Sequence, residues 1–203
     1  ERLESGLVDP GIIPITQNLS NLLRLVALYK YGGVYIDTDV IILKDFSSLR
    51  NSVGIQKMEN YVTKEHTNLN NAVLVFDEGN PILLKFMDEF ANTFNGNKWG
   101  HNGPALLTRV ILWQKPAEII DVNVLPVVAF YPVDWFEIAD YFRKLGGEND
   151  TEWAQNQFKR LDSSTYAIHL WNQATRGLTV EKGSIMGKLF SDHCIICQNI
   201  YAS

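Results

Sequence analysis

The 203-residue chain predicts an α/β fold with a mostly parallel sheet. Two observations carry that expectation. Short β-rich apolar runs alternate with segments of helical periodicity along the whole chain, an order that places helices over a parallel sheet. The composition, 46% hydrophobic and 20% charged, is that of a globular domain with a sizeable core. No apolar run approaches the roughly 18 residues of a membrane span, and no signal peptide opens the chain.

After an irregular Gly/Pro-rich start, Ser20 is the expected N-cap of a helix through Tyr31. Leu22, Leu23, Leu25, Val26, Leu28 and Tyr29 supply its apolar stripe. Gly32 and Gly33 stop it, because glycine enters the left-handed region without steric cost. Val34 to Leu43 then reads as a buried strand with a polar interruption at Asp37-Thr38-Asp39. A short strand is expected over Ala72 to Phe76 and an amphipathic helix over Ile82 to Phe94, opened by Pro81. Gly103-Pro104 opens another helix through about Leu112. Val122 to Leu125 and Val128 to Tyr131 are strand candidates, and polar helices are expected near Trp135 to Lys144 and Glu152 to Arg160. Ala167 to Trp171 is the last strand and Ile185 to His193 the last helix.

Charge narrows the function. Lys plus Arg total 18 against 23 Asp plus Glu, a net charge of -5, which argues against nucleic acid as a partner. An anionic substrate would need a metal or a few local cations. Asp37 and Asp39 provide a place for one. If the segment is extended, their side chains fall on one side. A pair of carboxylates suits a hard dication such as Mn²⁺ or Mg²⁺ and leaves positions for phosphate oxygens. The alternative is a turn or a solvated strand end. The apolar flanks VYI and VIIL favour the cation, since burying two unpaired carboxylates costs several kcal/mol each.

The segment NLSNLLRLVALYKYGGVYIDTDVIILKD resembles the donor site of the α-1,4-glycosyltransferases related to globotriaosylceramide synthase, within the wider set carrying a DXD sugar-binding motif. The likeness continues through LNNAVLVF (69–76), NGNKWGHNGPALLTRV (95–110), LPVVAFYPVDW (125–135) and YAIHLWN (166–172), in the family's order. The resemblance implies one catalytic domain of GT-A-like fold, with a DXD segment over 16–50 and a C-terminal region over about 65–200. It implies a UDP-sugar donor, Mn²⁺ (or Mg²⁺), a glycolipid or glycan acceptor and retention of anomeric configuration. It also implies a Golgi-lumenal, type II membrane protein whose anchor and first nucleotide-binding strand would precede residue 1.

Carried over by position, Asp37 and Asp39 match the metal- and diphosphate-binding acids, and His169 a third ligand. Trp171 matches a residue whose indole N–H reaches the diphosphate, and Arg24 one that contacts donor hydroxyls. Asn71 lies in the block facing the donor sugar, while His101, Gly103 and Pro104 belong to an acceptor-side block. From its own surroundings, His169 on an apolar strand is as readily a core histidine. Where the family often has Ser-Asp, this chain has Ser20-Asn21, keeping an acceptor and losing a charge. Other readings of the same acids are a metal-dependent hydrolase or a non-catalytic sugar-binding remnant. Asn18-Leu19-Ser20 and Asn149-Asp150-Thr151 are N-glycosylation sequons, of which the second, in a polar stretch, is the better glycan site. The two cysteines, Cys194 and Cys197, are too few for a disulfide framework or a complete zinc site, and in a lumenal enzyme they would join disulfides.

Overall fold

The structure is a computed structural model describing residues 9–58, 67–114, 121–161 and 164–194. The chain divides into two compact units, the first made of residues 1–36 and 47–127, the second of 37–46 and 128–203.

The first unit is built on a four-stranded sheet in the order β1-β4-β3-β5. Its strands are β1 (Gly33–Ile36), β3 (Ser52–Lys57), β4 (Asn68–Phe76) and β5 (Asn123–Leu125). The α/β class holds, and the sheet is mixed. β4 runs antiparallel to both β1 and β3, while β3 and β5 are parallel. A mostly parallel sheet follows from strand–helix alternation only when the strands a helix joins become neighbours. Here β4 inserts between β1 and β3, and the chain leaving β4 through the helices returns beside β3. Helices α1 (Ile15–Tyr31), α2 (Pro81–Thr93) and α3 (Pro104–Thr108) complete the unit. Leu25 and Leu28 of α1, Leu74 and Phe76 of β4, Phe86 of α2 and Leu106 of α3 share its core.

Several expected boundaries move. Helix α1 begins at Ile15 after Pro14, so Ser20 lies inside it and is not its N-cap. Its apolar stripe is narrower than the sequence suggests, because Leu23 and Val26 are exposed. Gly32 ends the helix at φ 63°, its N–H donating to the Leu28 carbonyl. A methyl group on Gly32 would stand 2.6 Å from the Glu78 nitrogen, so both dihedral and space require glycine. Pro104 opens α3 as expected, but the helix widens into a π-turn over Arg109–Trp113. β3 was not expected from the sequence.

The second unit holds a two-stranded antiparallel sheet of β2 (Val40–Ile42) and β6 (Ala167–His169). Around it lie α4 (Val127–Phe130, entering the unit at residue 128), a 3-10 turn (Ile138–Tyr141), α5 (Glu148–Arg160), α6 (Asn172–Thr175) and α7 (Ile185–His193). Its separate core includes Ile41, Val133, Ile138, Tyr141, Ile168, Ile185 and Leu189. The expected strand at Val128 to Tyr131 is a helical turn. Phe130 and Tyr131 are buried there, and Ala129 accepts from the Tyr166 N–H, so packing overrides the β propensity of Val-Val. Of the helix expected over Trp135 to Lys144, only the 3-10 turn forms. Cys194 is disulfide-bonded, and Cys197 lies outside the described residues.

The continuous strand expected over Val34 to Leu43 is two strands in two sheets, separated by a turn at Thr38-Asp39. Asp and Thr favour turns by bonding nearby backbone. The flanks are also less buried than apolar composition implies, with Val34 and Ile42 exposed.

Candidate metal centre

Everything that converges on the acidic turn in the second unit is placed by the β2–β6 pair. Its register sets Val40 opposite His169, so Asp39, one residue earlier, meets the end of β6. The backbone then fastens the turn. Leu170 N–H donates to the Asp39 carbonyl at 2.8 Å, and Asn172 N–H donates to Asp39 Oδ2 at 2.8 Å. His169 Nε2 stands 3.2 Å from the same carboxylate oxygen.

Asp37, Asp39 and His169 each offer a ligand atom, and these atoms lie within 4.8 Å of one another. Among the described residues, no other group of three His, Cys, Asp or Glu side chains converges in this way. Both acids are partly exposed and the imidazole is buried, so the cluster opens to solvent through its carboxylates. Burial would by itself raise the Asp39 pKa. The His169 side chain, the Asn172 N–H and the His169 charge outweigh it and hold the carboxyl below its usual range. Asp39 is thereby kept as a carboxylate, the form a cation requires. The donor set, two carboxylates and one imidazole, fits a divalent cation of the Mn²⁺ or Mg²⁺ type. His169 Nδ1 is buried and takes no hydrogen bond from or to a protein group among the described residues.

Trp171 lies beside this cluster in the left-handed conformation, its ring centroid 4.2 Å from that of His169. Its indole N–H donates to the Val133 carbonyl at 2.8 Å. That bond uses the one N–H donor of the ring, the group expected to reach a diphosphate.

Three of the remaining candidates, Arg24, Asn71 and Gly103, form a second polar cluster inside the first unit. Arg24 is 6% exposed; it donates from Nη1 to the Asn71 carbonyl at 2.6 Å and from Nε and Nη2 to Ser20 O and Oγ. Its guanidinium stacks 4.4 Å from the centre of the Tyr35 ring. Asn71 Nδ2 donates to Asn21 Oδ1 at 2.8 Å, which is the use the asparagine makes of the acceptor it retains. Gly103 closes on this pair. A methyl group there would come within 2.8 Å of both Asn21 Oδ1 and Asn71 Nδ2. Gly103, expected on the acceptor side, thus packs close to Asn71, expected on the donor side. His101 Nε2 pairs with the Thr93 carbonyl at 2.8 Å; burial, with Arg109 and Lys98 nearby, lowers its pKa against the opposing effect of that carbonyl. Pro104 opens α3.

Sequence reasoning did not single out Asn102, which donates to Asn18 Oδ1, nor the Asn172 N–H or the Val133 carbonyl. The last two are backbone groups and leave no compositional signal. The sequon asparagine Asn18 is buried against Asn102, whereas Asn149 is exposed in the first turn of α5.

Fold and cluster together define an α/β protein with a carboxylate–imidazole site held on a strand-to-strand turn. Residues 75–201 match the family model described as the alpha 1,4-glycosyltransferase conserved region, and residues 5–60 match the glycosyltransferase sugar-binding region containing a DXD motif. The chain belongs to the α-1,4-glycosyltransferase family. It is 34% identical over 198 residues to the human lactosylceramide 4-alpha-galactosyltransferase, covering 93% of this chain and 51% of that protein. It is 29% identical over 188 residues to the human alpha-1,4-N-acetylglucosaminyltransferase, covering 86% and 49%. An uncharacterized protein of Arabidopsis thaliana is 37% identical over 186 residues, 89% of this chain and 28% of that one. The chain therefore spans about half or less of these relatives. A solved structure, the PaToxG glycosyltransferase, aligns with a TM-score of 0.37 at 21% identity, over 88% of this chain and 52% of that one.

Proposed function

We propose that the chain is the metal- and donor-binding part of a retaining α-1,4-glycosyltransferase. In this reading the enzyme has a GT-A-like fold and moves a hexose from a UDP-sugar to a galactose-ending glycolipid or glycan. The observation that carries it is the convergence of Asp37, Asp39 and His169 ligand atoms within 4.8 Å, the two acids lying in the region whose family model is described as sugar-binding and DXD-containing. These three residues would hold Mn²⁺ or Mg²⁺, which supplies positive charge where the departing diphosphate becomes negative. Asn172 N–H and His169 keep the Asp39 carboxylate in place and ionised for that task.

Retention is accounted for by same-face attack. The acceptor oxygen bonds to the anomeric carbon as the sugar–phosphate bond breaks, and the departing phosphate takes the acceptor proton. Arg24 and Asn71 belong to the donor side in this reading, and His101, Gly103 and Pro104 to the acceptor side. The names of the relatives make UDP-galactose and UDP-N-acetylglucosamine the first donors to try, with UDP-N-acetylgalactosamine third. The location proposed is the Golgi lumen. No described helix is long and apolar enough to cross a membrane.

The test is UDP release with each donor and Mn²⁺, in the presence and absence of a galactoside acceptor. Acceptor-dependent release is the expected result. Acceptor-independent release would make the protein a UDP-sugar hydrolase, and no release together with donor binding would make it a binding remnant.

A further inference from the structure

Trp171 and Asn51 are the two described non-glycine residues with positive φ, 53° at Trp171. That region is disfavoured for any residue with a β-carbon, so the surroundings must impose it. At Trp171 they are fully visible. β6 ends at His169, and Leu170 N–H grips the Asp39 carbonyl. The left-handed residue then reverses the chain into α6, whose first N–H, from Asn172, grips the Asp39 carboxylate. A contact to Asp39 thus stands on each side of Trp171.

The side chain is equally committed. Its N–H is fixed on the Val133 carbonyl, and its ring packs edge-on against His169 at 4.2 Å, with Tyr131 6.0 Å from both rings. A metal-binding histidine ordinarily has its second ring nitrogen held by a carboxylate, carbonyl or water. Among the described residues, no carboxylate or carbonyl takes that place at His169 Nδ1. The described groups that hold this imidazole are the Asp39 carboxylate at Nε2 and the aromatic wall of Trp171 and Tyr131.

We propose that Trp171 is a positioning residue for the cation site and not a diphosphate contact. Its indole–Val133 bond locks the ring that orients His169, and its left-handed backbone aims Asn172 N–H at Asp39. This rests on the metal reading above, and the experiment separates the two. The whole chain is titrated with Mn²⁺ alone, following the free-ion EPR signal, and then with UDP at saturating Mn²⁺. Wild type is compared with Trp171→Phe, which removes the N–H, and with Trp171→Gly, which keeps the left-handed backbone and removes the ring.

Trp171→Phe should weaken Mn²⁺ binding roughly tenfold, and Trp171→Gly more, as losses of outer-sphere support do. UDP affinity at saturating Mn²⁺ should stay within about twofold, and the metal-free melting temperature of Trp171→Phe should stay near wild type. Unchanged Mn²⁺ binding with weakened UDP binding would restore the diphosphate contact and overturn the proposal. Unchanged binding of both, or losses that track a lowered melting temperature, would leave only packing and also overturn it. If wild type itself binds no Mn²⁺, the metal reading falls and takes the proposal with it.

Discussion

In the first unit Arg24 is buried with its guanidinium held on Ser20, the Asn71 carbonyl and the Tyr35 face. In the second, Asp39 is partly open, and its Oδ2 meets both a backbone N–H and an imidazole. Both are clusters of polar groups in apolar surroundings. They differ in what completes them. The Arg24–Asn71–Asn21–Gly103 cluster is closed by hydrogen bonds within the unit, so its polar atoms chiefly hold α1, β4 and the α3 entry together. At the Asp37–Asp39–His169 cluster, two carboxylates and one imidazole converge, each offering a ligand atom. A buried cluster that satisfies itself speaks first for stability. One that gathers carboxylates at an opening speaks for a cation.

The sharpest way to break that contrast is Asp39→Asn. An amide still accepts from Asn172 N–H but is a neutral, poor ligand for a hard dication. Mn²⁺ affinity and sugar transfer should fall by more than roughly 100-fold, exceeding outer-sphere effects, while the metal-free melting temperature hardly moves. Retained Mn²⁺-dependent transfer would remove the second cluster from the chemistry.

Arg24→Ala should do the reverse. It leaves the Asn71 carbonyl and the Ser20 groups without their partner, at a cost of about 2–4 kcal/mol. Urea unfolding should show that loss with the Mn²⁺ titration unchanged in the folded protein. A variant as stable as wild type would show that Arg24 is held for the ligand and not for the fold.

The smallest effect concerns a carboxylate of the second unit that is already paired. Arg143 holds Asp150 with two bonds of 2.9 and 3.0 Å, and Gly146 N–H adds a third at 2.7 Å, so its pKa falls to about 2. The folded value lies below the unfolded one of roughly 3.9. The contribution is therefore complete above that pH and is lost as pH drops through the folded pKa. A carboxyl NMR titration should place the Asp150 midpoint near 2, unmoved by Mn²⁺. A midpoint that shifts with Mn²⁺ would mean the cation has a second seat.

The parts of the molecule legible in sequence are those where local chemistry and packing agree. Pro81, Gly32 and the apolar periodicity of Ile82 to Phe94 locate α1's end and α2 because propensity, capping and burial ask for the same thing there. The DXD acids and the family blocks could be recognised because each is contiguous. Sequence failed where the outcome depends on a distant partner. Val-Val at 127–128 formed a helical turn because Phe130 and Tyr131 had a core to enter, and the DXD became a turn because its two flanking strands pair in different sheets.

By itself, then, the chain's sequence determined its α/β class, its family and the identity of the acids. Tertiary structure alone decided that β4 runs antiparallel to both neighbours, that Arg24 is enclosed, and that His169 stands 3.2 Å from Asp39. It also decided that Trp171 spends its N–H on a carbonyl from another segment. The physical reason is one of range. Propensities, caps and motifs act over a few residues, whereas strand partner, burial and the direction of a backbone N–H are fixed only once segments far apart in sequence are packed together.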